Sequence, residues 1–326
     1  MPQLRSAAPS PRQLIGLLAT VILIGVGSAA CAGPHHPASH HHHHHHRAHP
    51  SPSPSPSPSP SLQPTAAHPC GLTTKPPAQV QHVVWILMEN RDDGDIIGSG
   101  AAPYINQLAQ VCGFAPNYSA ITHPSLPNYI ALSSGSTQGI TDDGDPSEHP
   151  LSAPSIFSLL GSGWTALDGS MPGNCDQNSG GEYAARHNPA VYYTNVASQC
   201  SQQDVPLGST PDIANRFTFI TPNLIDDMHD GTIQQGDTWL SQELPLLIAT
   251  PQYQSGDTLI FITWDEGTAN QLVPLLVLGP SVPQGARPQT AYSHYSLLRT
   301  TEELLGLSPL LGAAATAPSL TPGFNL

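Results

Sequence analysis

The sequence QHVVWILMEN, residues 81–90, contains a nearly continuous apolar run that ends abruptly in Glu89-Asn90. Similar apolar runs recur at Phe217–Thr221, Thr258–Trp264 and 274–278. Runs without polar alternation indicate strands that are buried on both faces, as in parallel sheets. Helices are predicted between these runs, at residues 104–110, 128–133, 155–160, 237–248 and 296–305. This order predicts an α/β fold with a mostly parallel central sheet and helices on both faces.

Acidic side chains follow three of these predicted strands, at the point where each strand ends. Open α/β sheets place their sites at the carboxyl ends of the strands, so we expect these side chains to converge. Converged carboxylates repel one another unless a cation or a proton joins them. A lone carboxylate can instead cap the next helix, but acids at three strand ends with a histidine nearby predict a divalent-metal site. The residues concerned are Glu89, Asn90, Asn223, Asp226, Asp227, His229, Asp265 and Glu266.

Ser125 is the candidate nucleophile. Pro124 and Pro127 flank it and restrict its backbone, and a predicted helix begins just after it. The N–H groups at a helix start can hold a phosphate, and a metal that touches the serine oxygen favours the alkoxide. An ordinary Pro-Ser-Leu-Pro turn is the alternative. The acidic segment 141–149 lies between these motifs, and we expect it to be a solvated loop rather than a border of the pocket.

The charge of the chain argues against a nucleic-acid binder. The 326 residues include 9 Lys and Arg against 23 Asp and Glu, for a net charge of −14. All the acids lie after residue 70, where only six basic residues remain, so the later part carries −17. Nucleic-acid backbones are held by Lys and Arg, which are scarce here.

The first residues read as a signal peptide. Arg5 and Arg12 precede a 14-residue apolar stretch, 14–27, and small residues follow up to Cys31. The stretch is shorter than the roughly 20 residues that span a bilayer, although an uncleaved anchor is an alternative. The segment before Cys31 resembles a bacterial lipobox, so lipid attachment at Cys31 competes with ordinary cleavage. We expect a secreted or cell-envelope protein, tethered to the outer face of the cytoplasmic membrane if Cys31 is lipidated.

A low-complexity linker separates this signal from a domain. Seven histidines occupy 40–46, and Ser and Pro alternate over 51–61. Alternating proline favours an extended spacer, whose histidine run also has affinity for transition metals. We therefore divide the chain into a signal peptide, 1–31, a linker, 32–74, and one domain, 75–326.

Apart from Cys31, the chain contains four cysteines, which suggest two disulfides in an exported protein. Four cysteines allow three connectivities. We predict that sequence neighbours pair, as Cys70–Cys112 and Cys175–Cys200.

Five blocks in this order resemble the bacterial phosphoesterase family, which includes acid phosphatases and phospholipases C within the alkaline-phosphatase superfamily. The blocks are WILMENR at 85–91, HPSLPNYIAL at 123–132, PNLIDDMHD at 222–230, WDEG at 264–267 and HYSLLRT at 294–300. The resemblance covers about residues 80–310 and implies the fold of that superfamily. It also implies a metal-assisted displacement at phosphorus.

The resemblance assigns roles to individual residues. Ser125 matches the nucleophile, whose oxygen also touches the metal, Asn128 matches the side chain that holds a phosphoryl oxygen, and His294 matches a histidine of the phosphate pocket. The matched metal ligands are Glu89, Asn90, Asp227, His229, Asp265 and Glu266, with Asp226 as the alternative to Asp227. The identity of the divalent metal and its number, one or two, stay open.

These features predict an exported, metal-dependent phosphoesterase that acts through a seryl nucleophile. A domain charge of −17 would be repelled by anionic membranes, which favours small phosphomonoesters as substrates. A phospholipase C-type phosphodiesterase and a non-catalytic metal- or phosphate-binding lipoprotein are the alternatives. We expect a monomer with a phosphate-ester substrate, no nucleic-acid partner and a membrane tether only through Cys31.

Overall fold

The computed structural model describes residues 63–326. The predicted signal peptide, Cys31, the histidine run and the Ser-Pro spacer lie outside the described residues. No helix in the described part is long and apolar enough to cross a membrane.

A seven-stranded sheet forms the centre of the domain, in the strand order β2-β8-β7-β1-β6-β4-β5. Five of its strands run parallel, and β2 and β8 add antiparallel pairings at one edge. A two-stranded parallel sheet pairs β3 with β9. The strands are β1 (His82–Met88), β2 (Gly113–Phe114), β3 (Tyr118–Ser119), β4 (Trp164–Asp168), β5 (Asp204–Pro206), β6 (Phe217–Thr221), β7 (Thr258–Trp264), β8 (Leu275–Leu278) and β9 (Tyr292–Ser293).

The predicted mostly parallel α/β architecture is confirmed. The four apolar runs form β1, β6, β7 and β8, and the first three are central and almost fully buried. The fourth run forms β8, which pairs antiparallel with β7, so the sheet is mostly rather than wholly parallel. About ten residues connect these two strands, and a parallel crossover needs a dozen or more.

All five predicted helices are present, each within a few residues of its expected bounds. Four of them pack as two pairs, α3 with α8 and α2 with α6. The helices are α1 (Asp93–Ile96), α2 (Pro103–Val111), α3 (Ser125–Ser134), α4 (Ile156–Leu160), α5 (Ala197–Gln203), α6 (Ile233–Ile248), α7 (Pro251–Gln254), α8 (His294–Leu304) and α9 (Thr321–Phe324).

The chain also forms both predicted disulfides. Cys70–Cys112 ties the segment before β1 to the end of α2, and Cys175–Cys200 ties a long loop to α5. That loop, between β4 and α5, contains short 3-10 helices, among them Ala185–His187. This 3-10 helix contacts α3, the helix that begins at Ser125.

Candidate active site

Backbone hydrogen bonds continue beyond the strand ends and bring three acidic residues together. The amide of Asp265, after β7, donates to the carbonyl of Met88 at 3.0 Å, and the amide of Glu89, after β1, donates to the carbonyl of Asp227 at 2.8 Å. Since β1 lies between β6 and β7, Glu89 is flanked by the other two residues. The side chains of Glu89, Asp227 and Asp265 are all buried. The structure thus places three of the predicted ligands at one sheet edge.

Burial and mutual repulsion disfavour the charged forms of these acids. Burial, followed by the charges of Asp265 and Asp227, raises the pKa of Glu89 well above its usual range. Burial likewise raises the pKa of Asp227 to about 8 and that of Asp265 to about 7. Such a group of carboxyls ionises fully only beside a compensating positive charge.

The same acids present oxygens that are free to bind a cation. Among the described residues, Oδ2 of Asp227 and Oδ2 of Asp265 are buried and accept no hydrogen bond. Buried polar atoms normally have partners, and a divalent cation is one group that would satisfy such an oxygen. The residues present therefore fit a divalent metal, to which these carboxylates offer oxygen ligands.

Ser125 lies directly against this cluster. It is the first residue of α3, it is buried, and its Oγ donates a hydrogen bond to Oε2 of Glu89 at 3.2 Å. The hydrogen bond also lowers the mobility of the hydroxyl, since it is held against a fixed carboxylate. The nucleophile candidate and the metal-ligand candidates therefore form one site.

Asp143 reaches the same helix start. Its Oδ1 accepts a hydrogen bond from the amide of Leu126, the residue after Ser125, at 3.0 Å. Its charge also raises the pKa of Glu266, after the larger effect of burial, to about 7. Asp143 is exposed, as expected for a solvated loop, but it also borders the site, which was the alternative to that expectation. The N–H group of an unfilled helix start attracts a nearby carboxylate just as it attracts a phosphate.

His187 is a member of the site that the sequence did not reveal. Its Nε2 lies 3.3 Å from Oε1 of Glu89, and its Nδ1 lies 3.3 Å from Oδ2 of Asp227. Its ring stacks on Tyr129, with the planes 3° apart, and the Tyr129 hydroxyl donates to Oε1 of Glu89 at 2.6 Å. Burial holds the pKa of His187 well below its usual value, so the ring is neutral and available as a ligand.

The position of His187 explains why the sequence concealed it. The residue lies in the 3-10 helix of a long loop and follows no apolar run, so the reasoning from strand ends does not reach it. Its only signal was that it is one of six histidines after the linker.

His229 joins this group, whereas Asp226 does not. Ligand atoms of Glu89, His187 and His229 all lie within 4.8 Å of one another. Nε2 of His229 accepts a hydrogen bond from Arg186 at 3.0 Å, so its Nδ1 carries the proton and donates to Asp230 at 2.7 Å. The side chain of Asp226 instead lines an outer cavity.

Glu266 and Asn128 support the segment before Ser125. Oε2 of Glu266 lies 2.9 Å from Nδ1 of His123 and accepts a hydrogen bond from Nδ2 of Asn128 at 3.3 Å. Oδ1 of Asn128 accepts from the amides of Ile121 and Thr122 at 3.0 and 3.1 Å. The Asn128 amide thus positions this loop, and its contact with a phosphoryl oxygen stays a prediction.

Asn90 takes part through its backbone. It adopts a left-handed conformation, with φ at 50°, and its amide donates to Oδ1 of Asp265 at 3.1 Å. This bond fixes the Asp265 carboxylate and leaves its other oxygen free. A metal contact from the Asn90 side chain stays a prediction.

His294 lies beneath the site with both ring nitrogens engaged. Nε2 donates to the carbonyl of Asp265 at 2.6 Å, and Nδ1 accepts from the hydroxyl of Tyr118 at 2.8 Å. Burial lowers the pKa of His294 to about 4, so the ring is neutral. In this arrangement His294 positions the Asp265 backbone. The predicted contact with phosphate, metal or leaving group would require one of these bonds to break.

The chain is similar in sequence to known proteins. Residues 98–308 match the Phosphoesterase family. The chain is 36% identical to the phosphatidylinositol-3-phosphatase of Mycobacterium tuberculosis over 74% of this chain and 81% of that protein. It is 32% identical to an acid phosphatase of Aspergillus fumigatus over 70% of this chain. That match covers 55% of the fungal protein, so this chain spans little more than half of its length.

A solved structure supports the same fold. A protein of the alkaline phosphatase superfamily from Vibrio parahaemolyticus superimposes with a TM-score of 0.53, at 13% identity, over 78% of this chain and 72% of that chain. Its identity is low, so this likeness concerns the fold alone.

Proposed function

The chain belongs to the Phosphoesterase family, and on that premise we propose that it is a metal-dependent phosphomonoesterase with Ser125 as its nucleophile. The observation that carries the proposal is the hydrogen bond of 3.2 Å between Ser125 Oγ and the buried Glu89 carboxylate. A binding protein has no need of a serine held at a helix start against converged carboxylates. The names of the two relatives, a phosphatidylinositol-3-phosphatase and an acid phosphatase, support monoesters as the substrate class.

The residues of the site divide the work of phosphoryl transfer. Glu89, Asp227 and Asp265 would hold a divalent metal with His187 and His229 as nitrogen donors, once Nε2 of His229 gives up its hydrogen bond from Arg186. A bound metal would neutralise the charge of the phosphate. The chain itself orients the nucleophile, because Glu89 and the first turn of α3 fix the Ser125 oxygen.

Attack by Oγ forms an oxygen–phosphorus bond and breaks the ester bond, and the proton that Oγ loses passes to the oxygen of the departing alcohol. Water then cleaves the phosphoserine, which releases phosphate and restores the Ser125 hydroxyl. Arg186 lies beside His229 at the partly exposed rim, where its charge suits an incoming phosphate.

We also propose that the protein acts outside the cytosol. Both disulfides lie within the folded domain, and such bonds persist in oxidising compartments. Lipid attachment at Cys31 belongs to the same proposal. Mass spectrometry of the mature protein from its native host tests it, since a lipidated N-terminal Cys31 and an unmodified cleaved terminus have different masses.

The decisive experiment is a Ser125→Ala variant, assayed on p-nitrophenyl phosphate and bis-p-nitrophenyl phosphate with several divalent metals and with a chelator. We expect wild-type protein to prefer the monoester and to lose activity with chelator. The variant should lose about 10³-fold or more in kcat, as removal of a nucleophile does, while its metal affinity stays within a few-fold. Ser133→Ala is the matched control, because Ser133 is also buried on α3 but bonds to Tyr193. Retained turnover in Ser125→Ala would contradict the assignment.

A further inference from the structure

A groove lies at the same edge of the sheet as the candidate site. The site described above lies at the ends of β7, β1 and β6, and the next strands in the sheet are β4 and β5. Residues that follow β4, β5 and β6 line a cavity of about 300 Å³, and a second cavity of about 410 Å³ adjoins it. Both are lined by Asp226 and Trp239, so we describe them together as the Trp239 groove. Asp226 is bonded directly to Asp227 of the site.

Trp239 differs from the other tryptophans of the chain. The sequence has four, and Trp85, Trp164 and Trp264 are buried in the core. Trp239 lies on α6 and is partly exposed between the two cavities. A partly exposed indole offers a large flat apolar face and one N–H donor.

Glu243 supplies a polar group that lacks a partner. It lies one helical turn after Trp239, lines the smaller cavity and is only 8% exposed. Its Oε1 is buried and makes no hydrogen bond among the described residues. A buried polar oxygen without a partner costs stability, and a hydroxyl group of a bound ligand would satisfy it.

The wall of the groove is held in place by close backbone packing. A Cβ at Gly169, after β4, would collide with the backbone nitrogen of Asn223, after β6. Nδ2 of Asn223 donates to Oγ of Ser170 at 3.2 Å, and its Oδ1 accepts from the amide of Asp226 at 2.9 Å. The polar groups of the wall are therefore preorganised before any ligand binds.

We propose that the Trp239 groove binds a polyhydroxylated ring, a sugar or a cyclitol, as the alcohol part of the phosphate ester. The indole face would pack against the C–H groups of the ring, while Glu243, Asp226 and the neighbouring amides and hydroxyls would bond its hydroxyl groups. Neither cavity has a Lys or Arg among the described residues that line it, which argues against a second phosphate there. A combined volume of several hundred Å³ is in the usual range of small-molecule sites, roughly 300–1,000 Å³. The inference rests on the proposed phosphomonoesterase activity.

Binding can be observed without turnover, in the metal-loaded Ser125→Ala protein. Titration with glucose or myo-inositol should change tryptophan fluorescence, because only Trp239 is partly exposed. Trp239→Phe should abolish this change, and Glu243→Leu should weaken the affinity about tenfold, the cost of one lost hydrogen bond to a buried acid. Leu246→Ala is the control, since Leu246 is exposed on the same helix but does not line the groove.

Kinetics separates this inference from the proposed function. For wild-type protein, we compare kcat/KM for glucose 6-phosphate, and for vesicles that carry a phosphoinositide, with kcat/KM for p-nitrophenyl phosphate. Trp239→Ala should lower kcat/KM for at least one ring ester about tenfold relative to kcat/KM for p-nitrophenyl phosphate. The ester whose relative kcat/KM falls shows whether the ring belongs to a soluble ester or to a lipid.

No turnover of any ester would contradict the proposed function itself. Turnover with an unchanged ratio in Trp239→Ala would overturn only the groove. A fluorescence change with plain phosphatidylcholine vesicles, and none with either ring, would overturn it in favour of a lipid contact.

Discussion

The hydrogen bond from Tyr129 to Glu89 allows a sharp test of the metal site. We predict that Tyr129→Phe weakens metal binding without disturbing the fold. The phenol donates to Oε1 of Glu89 at 2.6 Å, in a fully buried setting. Without it, this oxygen keeps only the neighbouring Nε2 of His187, at 3.3 Å. The ring itself remains, so the stack on His187 is retained.

The magnitude follows from the nature of the bond. A hydrogen bond to a charged group contributes about 1.5–3 kcal/mol, and about 1.4 kcal/mol corresponds to a tenfold change in affinity. We therefore expect metal affinity to fall about 10- to 100-fold, as it does when partners of metal ligands are removed. The Tyr129 bond also lowers the pKa of Glu89. Without it, Glu89 holds a proton more tightly in competition with the metal, which lowers the metal affinity further.

The assay is calorimetric titration of metal-stripped protein with a divalent cation, with circular dichroism to confirm folding. Tyr193→Phe is the matched control. Its hydroxyl is also buried but bonds to Ser133 at 2.8 Å, away from the acids, so its metal affinity should stay unchanged. An affinity of Tyr129→Phe within twofold of wild type would refute the reasoning.

Two further predictions concern stability. Asp168 and Asp204 are buried together, and burial, followed by the charge of Asp204, raises the pKa of Asp168 well above its usual range, while burial raises that of Asp204 to about 6. Raised carboxyl pKa values stabilise the fold at low pH, and that stability is lost as the pH rises through about 6 and above. Asp168→Asn, whose amide carries no titratable proton, should flatten this loss in urea unfolding at pH 5 to 8, and an unchanged slope would contradict the raised pKa of Asp168. The Cys175–Cys200 disulfide closes a loop of 25 residues and so lowers the conformational entropy of the unfolded chain. Its removal by a double Ser substitution should lower the free energy of unfolding by about 3.5 kcal/mol, measured by denaturant titration. A loss below about 1 kcal/mol would contradict this entropic account.

Local patterns were sufficient to predict the centre of the sheet but not its edges. Long apolar runs with polar ends identified β1, β6 and β7, because strands buried on both faces contain no polar alternation. They missed β4, whose sequence WTALD is short and interrupted by a threonine, and they could not reveal that β8 is antiparallel. Strand direction depends on how the chain returns across the sheet, which a short apolar segment does not encode.

The sequence by itself determined the α/β class, the disulfide-bearing domain and the convergence of Glu89, Asp227 and Asp265, because parallel strands must present their carboxyl ends at one edge. Only the tertiary structure decided which other side chains reach that edge. His187 enters from a distant loop, and Asp226 turns outward although its neighbour Asp227 turns inward. Side-chain direction in loops depends on packing against segments remote in sequence, and no local periodicity records it.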